Sequence, residues 1–442
     1  MDRIKILQSR RAKLLDATKS VRKKVTDLVD EMSFVEFDSY SFSHSDVYEE
    51  DALGDGVLTG IGTINGNNYC IVAINSEVMH GGLSLSNCNK IVKCMDKALR
   101  TASPLIYVLE SNGVQLGEGV NVLEGIAKIL KLSSDVKESG LMQFAHVTGN
   151  LFGSLSVLVS NCDFAYALKD GKVSFTSPLV ISAKNPSANA ELTLEKVVSV
   201  KEFKDKVSAI TDVINGEFVD GEDDLNRTAP ALNKTVTDDA LIKAVFDKNS
   251  FIEFNNDSVS QVKTGVAYLA GLSVATVIFD SENTVELDGK VMKKITDFLD
   301  FVQIHDLPLI TFVNSKGIKQ DVACQKCVLS RINDFINVYK TLNKITVITG
   351  SAIGLGYTLF ASKEMNNCYS YAFVQASVGL FDEATGALVE LDSEASKINE
   401  MAEEYAEKTD PINAAHNGYL DNVIEPKFVR QYVISALQTL EV

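Results

Sequence analysis

The residues best placed to do chemistry in this 442-residue chain are glycines. "PLIYVLESNGV" at 104–114 and "PLITFVNSKGI" at 308–318 each run an apolar strand pattern into a serine and a glycine. "GNLFGSLSVLVS" at 149–160 and "GSAIGLGYTLFAS" at 350–362 each set glycines at the head of an apolar helical pattern. A strand that ends in such a turn and opens a helix leaves backbone N–H groups without partners. Two of them converging on one point form an oxyanion hole, which stabilises negative charge developing on a thioester or ureido oxygen without any titratable side chain. The candidate donors are Gly113 and Val114 with Gly153 and Ser154 in the first half, and Gly317 and Ile318 with Gly354, Leu355 and Gly356 in the second. Two holes, one per half, suit a reaction that handles two enolate-like partners. Beside this stands the plain reading, in which glycines after strands only make turns.

Other catalytic patterns are missing from the sequence: no G-x-S-x-G, H-E-x-x-H or G-x-x-x-x-G-K-[ST] occurs. Cys324 and Cys327 form a C-x-x-C, half of a zinc site or a redox pair by spacing, but no second pair with metal spacing accompanies them and the five histidines are scattered. No metal is expected. Seven scattered cysteines read as reduced thiols rather than a disulfide framework. His80 precedes Gly81 and Gly82 after a strand pattern and reads as a satisfied loop histidine.

A net charge of −17 disfavours nucleic acid as a partner, because phosphate backbones need a clustered basic face. The start, "MDRIKILQSRRAKLL", is charged throughout, and the longest apolar runs, such as "VATVIF" at 274–279, have the length of buried strands. A soluble, cytoplasmic protein is the expectation.

The elements that must position these glycines are duplicated. "SFVEF" at 33–37 meets "SFIEF" at 250–254, and "GIGTINGNNYCIVAINSE" from Gly60 meets "GVAYLAGLSVATVIFDSE" from Gly265. With the two glycine-bearing stretches, four landmarks recur in the same order, which reads as an ancient duplication. "YCIVAI", "PLIYVLE" and "FAYAL" are the strands expected in the first half; "VATVIF", "PLITFV", "ITVIT" and "CYSYAFV" are those of the second. After "PLIYVLE", a helix is expected to turn Val120, Leu123, Ile126, Ala127 and Leu130 to one face. Strand, turn and helix alternate, so the fold class is α/β with helices packed on sheets. Residues 184–240 concentrate Pro, Asn, Asp and Gly around one helical pattern, "LEKVVSVKEFKDKVSAITDVI", and mark the linker between domains 1–225 and 226–442.

At this point the residues resemble a known family, the carboxyltransferase subunits of biotin-dependent acyl-CoA carboxylases and decarboxylases. The similarity runs nearly end to end. "LQSRRAKLL" looks like the family's N-terminal helix, "VDEMSFVEF" like the entry to its first domain, and "VMHGGLSLSNCNKIVKCMDKAL" like its double glycine and lysine helix. "GEDDLNRTAPALN" is similar to its inter-domain linker, and "DPINAAHNGYLDNVIEPKFVRQYVISAL" is close to its C-terminal signature. Where relatives carry S-G-G-A-R-x-Q-E-G, this chain has "SNGVQLGEG", with Asn112 at the second position and Gln115 at the arginine.

The resemblance implies two tandem crotonase-like domains of the ββα superhelix type, the N-terminal one holding acyl-CoA and the C-terminal one facing carboxybiotin. It implies carboxyl transfer to the α-carbon of a short-chain acyl-CoA, with the biotin taking the α-proton, which accounts for the missing base. Lys90, Lys93, Lys97 and Arg100, at spacings of 3, 4 and 3, share a helical face that would either contact the phosphates of coenzyme A or lie solvated, and Tyr357 would border a biotin pocket or lie in the core. Met292-Lys293 in "VMKK" sits in a helical pattern and is rejected as a biotin attachment site. Biotin must then ride on a partner, a biotin carboxyl carrier protein served by a biotin carboxylase subunit or, in the decarboxylase direction, by a membrane subunit. The family's site lies between opposite halves of two subunits, so a homo-oligomer from dimer to hexamer is implied. A third reading, motivated by Asn112, Gln115 and Ser154, is a weakly catalytic or structural subunit of the same fold.

Overall fold

Asp30 and Asp247 each stand three residues before one copy of the repeated Ser-Phe pair, and each carboxylate grips the tip of a hairpin. Asp30 accepts from Thr63 Oγ1 at 2.8 Å and from the N–H groups of Asn65 and Gly66 at 3.1 and 3.0 Å. Asp247 accepts from the N–H groups of Ala270 and Gly271 at 3.2 and 2.9 Å. Both tips place two successive residues at positive φ, Asn65 and Gly66 in one and Ala270 and Gly271 in the other, as a two-residue hairpin turn requires. Above each hairpin the phenylalanine of the repeat lies on a glycine: a Cβ on Gly60 would come within 2.5 Å of the Phe34 ring, and one on Gly265 within 2.5 Å of the Phe251 ring.

The computed structural model describes residues 2–41, 56–177, 192–216, 223–254, 259–390 and 405–440. They separate into two units, Met1–Ala209 and Ile210–Val442. In the first, helices α1 (Arg3–Ala17) and α2 (Lys19–Leu28) lead into an antiparallel run of β1 (Val35–Phe37), β2 (Val57–Ile64) and β3 (Asn67–Ile74). From β3 the sheet continues in parallel through β4 (Leu105–Ser111), β5 (Gln143–Phe152) and β6 (Phe164–Leu168), with β7 (Val173–Ser174) beside the end of β5 and β8 (Glu195–Val197) at the far edge. Parallel strands need crossovers, and the crossovers are α3 (Leu85–Thr101), α4 (Val120–Glu138) and α5 (Leu155–Asn161). Ser84 and Asn87 cap α3 reciprocally, at 3.1 and 2.8 Å. Ile91, Met95, Ile126, Ile129 and Leu158 close a core over Val72, Tyr107, Ala145 and Val147. Helix α6 (Val200–Ile214) follows β8, and the boundary between the units falls inside it.

The second unit repeats this order. After α7 (Asp238–Val245), strands β9 (Ile252–Phe254), β10 (Val262–Leu269) and β11 (Leu272–Phe279) run antiparallel. Next come β12 (Val285–Leu287), α8 (Gly289–Ile304), β13 (Leu309–Ile318), α9 (Val322–Tyr339), β14 (Lys344–Ile353), α10 (Leu355–Phe360), β15 (Asn367–Phe373) and β16 (Ser377–Gly379). Helices α11 (Glu383–Glu390) and α12 (Pro411–His416), strand β17 (Asn422–Ile424) and helix α13 (Val429–Leu437) complete the unit. The sheet path β9-β10-β11-β13-β14-β15-β17 matches β1-β2-β3-β4-β5-β6-β8 strand for strand, and β16 sits beside the end of β14 as β7 does beside β5. In each unit a cation from a C-terminal helix completes the hairpin carboxylate: Lys204 of α6 lies 2.9 Å from Asp30, and Arg430 of α13, 1% exposed, lies 2.6 Å from Asp247.

Two expectations of local structure are corrected. Residues 195–197 of the helical pattern form β8, because pairing with the open edge of β6 satisfies more backbone than another helical turn would. Helix α4 buries Val122, Gly125, Ile126 and Ile129, so Val120, Leu123 and Ala127, expected on one face with Ile126, are exposed while Ile126 is buried. Part of the expected linker, residues 184–191 and 217–222, lies outside the described residues.

Burial pushes the Asp30 carboxyl up, but Lys204 and the donors on Gly66, Thr63 and Asn65 outweigh it and hold the group well below the ordinary carboxylate range. A depressed carboxyl contributes stability that is present above its unfolded value, about pH 3.9, and is lost as pH falls toward the folded one. Asp30→Asn is expected to cost about 1.5–3 kcal/mol at pH 7. The gap to wild type should close as urea unfolding is repeated at successively lower pH below 4. A constant gap between pH 7 and 3 would show that the charge on Asp30 is not what stabilises the hairpin.

Candidate active site

The two glycine turns of each half meet at the carboxyl ends of the central strands, the edge at which parallel α/β sheets present ligand crevices. In the first unit, Ser111 Oγ, at the end of β4, donates to Gly81 O at 2.7 Å and accepts from the Gly113 N–H at 3.1 Å. In the second, Ser315 Oγ of β13 donates to Val285 O at 3.0 Å and accepts from the Gly317 N–H at 3.1 Å. The next strand brings in the second turn. A Cβ on Gly153 would lie 3.4 Å from Gly113 Cα, and one on Gly317 would lie 3.4 Å from Leu355 N and 3.8 Å from Gly356 N. Gly149 and Gly350 admit that approach, since a Cβ there would lie 2.6 Å from Glu110 Cδ and 2.4 Å from Asn314 Oδ1 respectively.

Four of the nominated amides are already engaged. Besides Gly113 and Gly317, the Gly153 N–H donates to Ser174 O at 3.2 Å and Phe175 O at 3.1 Å, and the Gly354 N–H donates to Gly379 O at 2.9 Å. These glycines therefore supply the turn, with φ of 122°, 87°, 80° and 53° for Gly113, Gly317, Gly153 and Gly354, and not the donor. The donors stand one residue later. Leu83 pairs with Val114 as a bridge through the Gly113 carbonyl and the Gln115 N–H, both at 2.9 Å, which leaves the Val114 N–H facing away from that pairing. Lys319 N–H bonds Leu287 O at 3.0 Å, so Ile318 is presented in the same way. The N–H groups of Val114, Ser154, Leu355 and Gly356 take no acceptor among the described residues. Neither α5 nor α10 carries a side-chain N-cap, whereas α3, α8 and α9 do. Each unit thus presents backbone donors from two converging turns, able to meet one oxygen that gains negative charge.

Beside the first turn pair is a cavity of about 180 Å³ lined by Ser76, His80, Glu110, Ser111, Asn112 and Asn150. A second, of about 350 Å³, shares Glu110 and Asn150 and reaches Thr148, Lys169 and Asp170. Lys24 of α2 holds their common wall, 2.6 Å from Glu110 and 3.1 Å from Thr148 Oγ1. Nothing in the spacing of the sequence links Lys24 to Glu110, because the contact joins positions 86 residues apart with β1, β2, β3 and α3 between them. His80 does line the cavity, in a left-handed conformation with φ of 54°. At the position of the family's arginine, Gln115 Nε2 donates to Gly82 O at 3.1 Å while its buried Oε1 finds no partner among the described residues. Behind the site, His146 stacks 4.4 Å from Phe203, and burial, aided by the charge of Lys24, pushes it down to about 4.

The basic face proposed on α3 does not form as a set. Lys90 is 2% exposed and its ammonium donates to Val57 O at 2.8 Å, because its position falls between the core residues Asn87 and Ile91. Lys93 pairs with Asp38 at 3.4 Å, Lys97 lies 3.7 Å above the Phe37 ring, and Arg100 pairs with Asp96 at 2.8 Å. Tyr357 is half-buried on α10, and burial, then Tyr419, raises its hydroxyl. Cys327 packs on Gly289, where a Cβ would come within 2.1 Å of its sulfur. Among the described residues no group of three or more His, Cys, Asp or Glu is placed to hold a metal, and no helix is long and apolar enough to cross a membrane.

Residues 16–199 and 212–441 match the family described as the carboxyl transferase domain. The propionyl-CoA carboxylase beta chain of Roseobacter denitrificans is 26% identical over 464 residues, covering 95% of this chain and 90% of that one. The methylmalonyl-CoA decarboxylase subunit alpha of Veillonella parvula is also 26% identical, over 459 residues, with the same coverage. Among solved structures, the transcarboxylase 12S hexamer with methylmalonyl-coenzyme A and methylmalonic acid bound superposes with a TM-score of 0.87 at 22% identity, over 98% of this chain and 94% of its own. A single-chain, multi-domain long-chain acyl-CoA carboxylase gives a TM-score of 0.83 at 17% identity, over 99% of this chain and 49% of its own. The duplicated sheets are the two domains of a crotonase-like fold. With the family model spanning both units, the chain belongs to the carboxyl transferase domain family and is a biotin-dependent carboxyltransferase.

Proposed function

We propose that this chain moves a carboxyl group between carboxybiotin, carried on a partner protein, and the α-carbon of a short-chain acyl-CoA. Residues 1–225 form the acyl-CoA side and residues 226–442 the biotin side. The observation that carries this reading is the recurrence, in both units, of turn donors with no acceptor among the described residues: Val114 with Ser154, and Leu355 with Gly356, beside which Ile318 stands at the end of β13. A thioester oxygen fits the first set and a ureido oxygen the second, since both gain charge as the α-carbon and the ring nitrogen become nucleophilic.

The partner's biotin supplies the carboxyl group. What the chain's own residues do is bind, orient and exclude water. The amides of Val114 and Ser154 stabilise charge on the acyl oxygen and so acidify the α-proton without a protein base. Ser111 and Ser315 hold Gly113 and Gly317 in their turns, so the donors are organised before substrate arrives. Carboxylation and decarboxylation cross one transition state, and the relatives include enzymes named for each direction. In cells the chain would work with a biotin carboxyl carrier protein and a biotin carboxylase subunit, as a homo-oligomer between dimer and hexamer.

The direct test is carboxyl exchange by the purified chain with a biotinylated carrier protein, on acetyl-, propionyl-, methylmalonyl- and glutaconyl-CoA. Exchange with at least one is expected, and none with any would remove the proposal. The donors are tested by proline, which deletes one N–H. Ser154 has φ of −62°, already that of proline, and Leu355 opens α10, where the first N–H is not part of the helix ladder. Ser154→Pro and Leu355→Pro should each slow transfer about 10²- to 10³-fold, roughly 3–4 kcal/mol, with unchanged circular dichroism and sedimentation. The first should act through the acyl-CoA step and the second through the biotin step. Folded variants with wild-type rates would show that neither amide meets a developing charge.

A further inference from the structure

Helix α10 begins at the donor turn of the second unit, where no side chain caps it, and the hydrogen bonds that hold it lie at its other end. Six residues are too few to form a helix unaided. Its last carbonyl, Phe360 O, is beyond the reach of its own ladder, and side chains from three elements converge on it. Tyr339, the last residue of α9, donates from its hydroxyl at 3.0 Å, Thr346 Oγ1 of β14 lies at 3.0 Å, and Asn367, which opens β15, donates from Nδ2 at 3.2 Å. A carbonyl oxygen has two lone pairs, so this acceptor is more than filled. Thr346 Oγ1 also lies 2.9 Å from Asn367 Oδ1, Asn367 Nδ2 donates to Ser362 O at 2.7 Å, and Ser370 Oγ donates to Ala361 O at 2.9 Å. All four side chains are buried. The first unit holds its donor helix from behind with other residues. Helix α5 also starts without a side-chain cap, and its last residue, Asn161, donates to Ser133 Oγ of α4 at 2.8 Å. Ser133 Oγ donates in turn to Gln143 Oε1 of β5 at 2.9 Å, where the Tyr107 hydroxyl of β4 donates at the same distance.

From this arrangement we infer that Tyr339, Thr346 and Asn367 are positioning residues for carboxyl transfer: they fix the turn at Gly354–Gly356 by gripping α10 at its far end. A side-chain cap at the start of α10 would occupy the amides of Leu355 and Gly356, which the reaction needs free. Anchoring from behind leaves them open. The helix is only about 9 Å long at 1.5 Å per residue, so a shift at Phe360 reaches Leu355 undiminished. The turn has little slack at its front, since a Cβ on Gly317 would lie 3.4 Å from Leu355 N. The consequence for catalysis rests on the carboxyl-transfer reading; the hold on α10 rests on the hydrogen bonds alone.

The test compares Thr346→Val, which removes the hydroxyl at nearly constant shape, with Thr346→Ser, which keeps it, on the full chain with a biotinylated carrier protein. Thr346→Val should lower kcat about 10-fold with KM for the acyl-CoA unchanged, and Thr346→Ser should stay within about 2-fold of wild type. Calorimetric stoichiometry of acyl-CoA binding counts the folded sites, so a merely unstable variant is recognised as one. Amide hydrogen exchange on the same samples should quicken about 10-fold across residues 358–361 in Thr346→Val and stay unchanged in α5. Tyr339→Phe removes another donor from the same carbonyl and should act in the same direction. A Thr346→Val whose α10 exchanges at the wild-type rate, one whose α10 loosens while kcat holds, or a Thr346→Ser no better than the valine variant would overturn the inference. Should the wild type transfer to no CoA ester, the proposed function falls, and hydrogen exchange still decides whether these side chains hold α10.

Discussion

A carboxylate at a hairpin tip is the constraint on which each unit is built. Asp30 and Asp247 take the N–H groups that a two-residue turn leaves pointing outward, and so set the register of β2 on β3 and of β10 on β11. One residue of slip would turn every side chain of these strands to the opposite face. Because β3 and β11 are the strands onto which the parallel part of each sheet is added, that register propagates to β4 and β13, whose ends carry the site. The second unit needs its carboxylate more. Its turn places Ala270, not Asn or Gly, at positive φ, and the Asp247 bond to that residue's N–H offsets the strain. Arg430, buried against Asp247, keeps the charge from being left alone in the core.

Downstream of the register, the site is a problem of backbone approach. Two strand-end turns come within van der Waals contact in each unit only because the side chain at the strand end, Glu110 or Asn314, lies over a glycine, Gly149 or Gly350. Asn314 spends its amide on Asp280 O and the Ser351 N–H, at 2.8 and 2.9 Å, and is purely a brace. Glu110 occupies the same place but keeps a charge, balanced by Lys24, and walls two cavities. The repeats have thus diverged at this position, a charged side chain lining a cavity in the first unit and a hydrogen-bonded amide in the second. The donor amides, by contrast, are indifferent to side-chain drift, since every residue but proline carries an N–H. Val114, Ser154 and Leu355 thus differ in side chain while each leaves its N–H without an acceptor among the described residues.

Much of this was legible in the sequence by itself. Duplication, the α/β alternation, the central strands and the four glycine turns follow from apolar runs punctuated by glycine, a local code that any chain of this composition must obey when it buries strands and turns at their ends. The family likeness added the expected domains and reaction. What only the tertiary structure decided is which groups are left over once packing has taken its share. The amides of Gly153 and Gly354 are consumed by β7 and β16, strands of two or three residues that carry no periodic signal, which leaves Ser154, Leu355 and Gly356 of the nominated donors at those turns without an acceptor among the described residues. Lys90 turned inward, since a helix presents only one arc to its sheet and this lysine fell on it. The apolar positions Val120 and Leu123 turned outward, because Val122, Gly125 and Ile126 fit the sheet better and the periodicity of an apolar helix does not say which face is the inside. Lys24 reached Glu110 across 86 positions of the chain. Each of these is a long-range choice between two locally equivalent options, and local sequence carries no energy term that separates them.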